Sequence, residues 1–135
     1  MKHSLILLLV LALFVSITSD AQTKKQGKRK PASGISVSEA NLKAIIADIK
    51  RLGADSYQYK IRPTHMGGGN DSYATYVVYP KIWGPTNPNA TYTVTAQNDS
   101  MIAFLATSKK VPGATVTISY DGTGKLISGP TAKGF

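Results

Sequence analysis

The chain has 135 residues, no cysteine and a formal net charge of +9. Absence of cysteine excludes disulfide staples, thiolate metal sites and lipid attachment through a thiol. The length bounds the protein to one ordinary hydrophobic core, too short for two.

Lys2 and His3 precede an apolar run from Leu5 to Ile17, and Ser19-Asp20-Ala21 then places small residues where a signal peptidase reads them. This is the pattern of a cleavable leader, so residues 1–21 are expected to be removed and the product to be periplasmic or secreted. The run is shorter than the roughly 20 residues an α-helix needs to cross a bilayer. Residues 22–34 follow with Lys24, Lys25, Lys28, Arg29 and Lys30, no acid and no large apolar side chain. Such a segment has nothing to bury and reads as a disordered basic arm. The leader carries one base and one acid, Lys2 and Asp20, so its removal leaves the balance at +9. Subtracting the arm's five cations leaves +4 for residues 35–135. The arm is a candidate polyanion-binding segment, suited to an anionic envelope surface by long-range attraction. Nucleic acid is the least favoured partner for an exported chain.

Residues 35–135 are expected to form a single domain. From Ser36 to Gly53 the apolar residues Leu42, Ile45, Ile46, Ile49 and Leu52 fall on one helical face. Ser36 with Glu39 reads as a capping box, and Gly53 as a left-handed C-cap. The period then changes to two. Ser56–Arg62, Tyr73–Tyr79 and Thr91–Ala96 read as strands, separated by the turn-rich segments 63–72 and 80–90. Asn98 or Asp99 is expected to cap a second helix running to about Lys110, with Met101, Ile102, Phe104 and Leu105 buried and Lys109 and Lys110 at its negative end. Pro112-Gly113 stops it. Thr115–Tyr120 alternates as a strand, Asp121-Gly122-Thr123-Gly124 turns the chain, and Lys125–Ser128 returns as a short last strand, leaving 130–135 loose.

The predicted order is helix, three strands, helix, two strands. The stretch Asn98 to Ala106, followed by Gly113 and the alternating Val116–Tyr120, resembles the helix-then-strand segment of secreted OB-fold proteins of the bacterial toxin B-subunit type. That resemblance implies a small five-stranded OB-like barrel with an N-terminal helix and a helix between strands 3 and 4, together with glycan binding and ring assembly. The chain departs from that family in lacking a disulfide and in carrying the basic arm. The alternative architecture is a two-layer α+β sandwich with both helices on one sheet face.

Catalytic chemistry is sparse. Beyond residue 21 there are one histidine, His65, one glutamate, Glu39, and five aspartates. No zinc-protease helix, nucleophile elbow, P-loop or EF-hand pattern occurs. His65 lies in a Pro- and Gly-flanked loop, and Gly67-Gly68-Gly69 does not lead into a helix as a phosphate cradle would. The residues predict no enzyme, no cofactor and no metal. Binding chemistry is better supplied. Tyr79, Trp83, Asn87 and Asn89 share one loop and combine flat apolar faces with amides, suited to a glycan, peptide or protein ligand. The competing role for Trp83 is to anchor that loop in the core, and cross-strand packing is the competing role for the tyrosines. The expectation is an exported, non-enzymatic binding module, with an envelope-associated structural protein tethered by its arm as the alternative. A homo-oligomer is favoured, with the final strand near Leu126–Ser128 as the candidate pairing edge.

Overall fold

A computed structural model of the chain describes residues 34–79, 83 and 86–135. By contacts the chain divides into Met1–Gly34 and Ile35–Phe135, and every element among the described residues belongs to the second unit. The expected leader, Lys24, Lys25, Lys28, Arg29 and Lys30 of the arm lie outside the described residues.

Helix α1 spans Val37–Ile61. Ser36 caps it, its Oγ accepting from the Glu39 amide at 3.1 Å, and its buried positions include Asn41, Ile45, Ile49, Leu52, Ser56 and Lys60. Those steps of three and four residues make one continuous helical stripe. The helix therefore runs on to Ile61 with Arg62 as its extended C-cap, where a strand over Ser56–Arg62 was expected, because Tyr57, Tyr59 and Ile61 alternate only by coincidence and the polar Ser56 and Lys60 hide the true period. Gly53 is interior rather than a C-cap. A Cβ there would stand inside the ring of Tyr120, so glycine is what lets the helix and sheet approach closely.

Beyond α1, a 3-10 turn at Thr64–Met66 ends on Gly67, whose φ of 74° is the left-handed region. The chain then folds back to finish the helix. The amides of Gly69, Asn70 and Asp71 donate to the carbonyls of Tyr59, Arg62 and Lys60 at 2.8, 2.9 and 2.7 Å, satisfying groups that a helix end leaves bare. The glycine run is thus a cap whose donors are already used.

Four strands complete the unit: β1 Ala90–Gln97, β2 Met101–Ser108, β3 Thr115–Asp121 and β4 Leu126–Lys133. They form one antiparallel sheet in the order β1-β2-β3-β4. The expected five-stranded barrel with two helices is overturned by this open sheet with a single α-helix among the described residues. The alternative with two helices on the sheet fails on the same count. At the coarser level the unit is a small α+β fold.

The segment expected as the second helix is β2. Its Ile102, Phe104, Ala106 and Ser108 alternate into the core. Met101, Ala103 and Leu105 are apolar too, so both faces of the strand look alike in sequence and the period of two is masked. The capping signal was real but belongs to a hairpin: Asn98 Oδ1 accepts from the amides of Ser100 and Met101 at 2.8 and 2.9 Å. At the other end of β2, Ser108 Oγ accepts from the amides of Lys110 and Val111 at 3.1 and 2.9 Å. Tyr73–Tyr79 is not a strand either: Tyr76 donates to Asp55 on the helix, Tyr73 to the Asp121 carbonyl, and Tyr79 is exposed. β4 continues past Ser128 to Lys133, and Phe135 beyond it packs on the core.

The core lies between α1 and one sheet face. Ile45, Ile49 and Leu52 of the helix meet Tyr92 of β1, Ile102 and Phe104 of β2, and Val116, Ile118 and Tyr120 of β3. Replacing Gly53 with alanine tests the close approach: despite a gain of about 1 kcal/mol in helix propensity, we expect net destabilisation of about 2 kcal/mol from overpacking against Tyr120, measured by chemical denaturation. A stabilised variant would contradict this packing.

Candidate functional site

The described residues between Asp71 and Asn89 meet α1 in order from its C-terminal end toward its N-terminal end. Lys60 pairs with Asp71 and its Nζ lies 5.7 Å from the centre of the Tyr73 ring. Tyr59 Oη and Thr75 Oγ1 are hydrogen-bonded at 2.7 Å. Tyr76 Oη donates to Asp55 Oδ2 at 2.7 Å, and its ring meets those of Tyr59 and Phe104 edge-on. Arg51 lies 5.7 Å from the Trp83 ring centre. Asp48 Oδ2 then accepts from Tyr92 Oη at 2.8 Å, Asn89 Nδ2 at 3.2 Å and Asn87 Nδ2 at 3.3 Å.

Nearer the helix start, buried Asn41 donates through Nδ2 to the Asn89 carbonyl at 3.3 Å and accepts from Ser108 Oγ at 2.6 Å. Lys109 adds its amide to the same Asn89 carbonyl at 3.0 Å and its Nζ to the Asn87 carbonyl at 2.6 Å. Asn87 Oδ1 accepts from the amides of Asn89 and Ala90 at 2.9 and 3.3 Å. These bonds fold the entry to β1 into a fixed turn.

The four residues singled out as a binding loop therefore occupy different settings. Trp83 is 5 % exposed and stands edge-on to Tyr92, ring centres 5.9 Å apart. Asn87 and Asn89 direct their amides at Asp48. Tyr79 is 49 % exposed, and Val77 beside it is 74 % exposed. The residues that sequence reasoning missed are Asp48, Asp55 and Asn41. They lie seven residues apart, two helical turns, which puts them on one flank of α1, and that spacing was the signal available.

The surroundings act on the tyrosines. Burial, then the hydrogen bond to Asp55 and the charge of that carboxylate, hold the Tyr76 phenol far above the usual tyrosine range. Burial, then the bond to Asp48 and its charge, does the same to Tyr92. Tyr73 is pushed up to about 12 by burial first, then by Asp121 and Tyr57, while its Oη donates to the Asp121 carbonyl at 2.9 Å. In the β3–β4 turn, the Thr123 hydroxyl and the Lys125 amide lower the Asp121 carboxyl. His65 is exposed. Among the described residues no three His, Asp or Glu side chains are grouped to hold a metal.

No family model, curated protein or solved structure matches this chain.

This geometry carries two expected outcomes. Tyr92→Phe keeps the ring against Trp83 but removes the donor to Asp48, and should cost about 1.5 kcal/mol by urea denaturation. No change would mean the bond contributes nothing. The second is alkaline sensitivity. Four phenols, those of Tyr73, Tyr76, Tyr92 and the buried Tyr120, keep their protons in the folded state beyond the ordinary value of 10.0. Below that value they leave stability unchanged, and above it the unfolded chain releases protons that the folded chain holds, so stability falls as pH rises from 10 through 12 and beyond. Melting curves across this range should show the midpoint dropping, with phenolate absorbance appearing together with loss of ellipticity. Complete tyrosine ionisation in a folded chain would contradict the burial.

Proposed function

We propose that this protein is an exported, non-enzymatic interaction module that engages an extended peptide or protein segment along Val77–Tyr79. The observation that carries the reading is the exposed pair Val77 and Tyr79, at 74 % and 49 %, beside an aromatic ring, Trp83, that is held in place from two sides by Tyr92 and Arg51. Among the described residues the backbone groups of Val77 and Val78 have no hydrogen-bond partner. An extended ligand could use them as it uses a sheet edge, with Val77 and Tyr79 supplying apolar contact. Peptide is favoured over glycan because Trp83 is buried and presents no open face on which a sugar ring could stack.

A binding role fits the fate of the acids. Asp48 and Asp55 already accept phenol and amide donors that hold the fold together. The leader-like start of the chain supports a location outside the cytoplasm, periplasmic or secreted. Attachment to an anionic envelope surface through the arm concerns residues outside those described.

The reading is tested by selecting a displayed random-peptide library on the protein. Peptides enriched on the wild type should lose at least about tenfold in affinity, roughly 1.4 kcal/mol, for Tyr79→Ala and for Val77→Asp, both of which should remain folded by circular dichroism. Trp83→Ala should instead destabilise the fold by about 3 kcal/mol. Binders indifferent to both surface substitutions, or none in the library beside clear binders on a glycan array, would overturn the assignment.

A further inference from the structure

We infer that the open face of the β-sheet, opposite α1, is the docking surface for a second copy of this chain. The inference is independent of the peptide reading, because this face lies on the other side of the sheet from the helix and its strapped segment.

Register fixes which side chains share that face. Thr93 of β1, Leu105 of β2, Thr117 of β3 and Thr131 of β4 stand in one cross-strand row, on the side away from the buried Phe104, Val116 and Ile118. Leu105 belongs to a half-buried apolar line with Met101 and Ala103 down the middle of the sheet. The neighbouring outward positions of β1 and β3, from Thr91 to Ser119, are threonine, serine or alanine. The face carries charge only at Asp121 and Lys133, the last residues of the antiparallel β3 and β4 and so at opposite ends of the sheet.

A one-sided antiparallel sheet ordinarily meets water with charged side chains among its polar ones. Here a chain of net charge +9 keeps the centre of this sheet face free of charge. An apolar centre with an uncharged polar rim is the composition of an interface, in which charged residues are depleted at the core. Charge also selects the occupant. A polyanion finds no cation across most of the face, and a sugar finds no aromatic ring, whereas a second copy brings an equally uncharged surface. With the two-fold axis lying across the strands, Asp121 of one copy comes beside Lys133 of the other.

Size agrees. Four strands about 4.8 Å apart and about 26 Å long present on the order of 600 Å² of accessible surface per copy, giving roughly 1,200 Å² in a pair, the lower end of the range for stable interfaces. Two such sheets stack about 10 Å apart with strands crossing near 30°. Pairing by strand edges is the less suitable route. β4 has register shifts at two places, Pro130 within it and lysines at both ends, and these are devices that blunt an edge.

The test is the mass of the protein purified from the producing cell, its termini fixed by intact mass spectrometry, using light scattering across a concentration series. The wild type should give twice the single-chain mass at high concentration and fall toward one chain on dilution. Leu105→Lys should give one chain throughout, with unchanged circular dichroism. Thr117→Arg places the charge one strand away and should do the same, which keeps the test decisive should Leu105→Lys fail to fold. Val77→Asp should remain paired. A wild type of single-chain mass at the highest concentration reached, or pairing that survives in the folded face variants, would overturn the inference.

Discussion

One flank of helix α1 carries Asn41, Asp48 and Asp55 at seven-residue intervals, and the buried Asn41 and half-buried Asp48 must be matched by hydrogen-bond partners before the helix can lie on the sheet. Asn41 is bonded to Asn89 and Ser108, Asp48 accepts from Asn87, Asn89 and Tyr92, and Asp55, at the exposed edge of the helix, accepts from Tyr76. A buried polar group or half-buried carboxylate without partners costs far more than one in water. The tyrosines meet this need in a way that aliphatic residues cannot. Tyr76 and Tyr92 bury their rings against Phe104 and Trp83 and still deliver a hydroxyl to a carboxylate at 2.7 and 2.8 Å. Apolar burial and polar satisfaction are thus served by the same side chains. A cysteine-free domain of this size has few other ways to hold a long connecting segment.

The same constraint explains why the segment from Tyr73 to Tyr79 takes no strand partner despite its β-forming composition. Its side chains are already committed at irregular intervals to Lys60, Tyr59 and Asp55, a spacing that regular pleating would not meet. Val77 and Tyr79 stay exposed and are the residues to which the proposed ligand contact is assigned. Their neighbours Thr75, Tyr76 and Trp83 are held by the helix and by Tyr92, and anchored neighbours limit the ordering cost of binding.

Sequence reasoning reached the parts of the fold whose signals are local. The Ser36 cap, the apolar face of α1 through Leu52, strands β1 and β3, and the turns at Pro112-Gly113 and Asp121–Gly124 are set by residue chemistry within a few positions. It failed where one element's pattern is completed by another. β2 is apolar on both faces, one meeting the helix and the other open, so its composition imitates a helix, and Asn98 satisfies amides in a hairpin by the same chemistry it would use at an N-cap. The buried Ser56 donates to the Gly53 carbonyl and the buried Lys60 pairs with Asp71 across the turn after the helix, and that second relation does not show along the chain. Of the candidate site, the aromatic and amide residues were legible as a group. Their acceptor, Asp48, sits about forty residues upstream, so the group read as a surface for ligands when much of it faces the protein itself.

The central claim is that carboxylates on the helix flank hold the segment after the helix in place through phenol donors, and a double-mutant cycle between Asp55 and Tyr76 tests it most directly. The single variants Asp55→Ala and Tyr76→Phe and their combination would be compared by chemical denaturation. The account predicts a coupling energy of about 1–3 kcal/mol, with the double variant little worse than the more damaging single one. Additive effects, with coupling near zero, would contradict it.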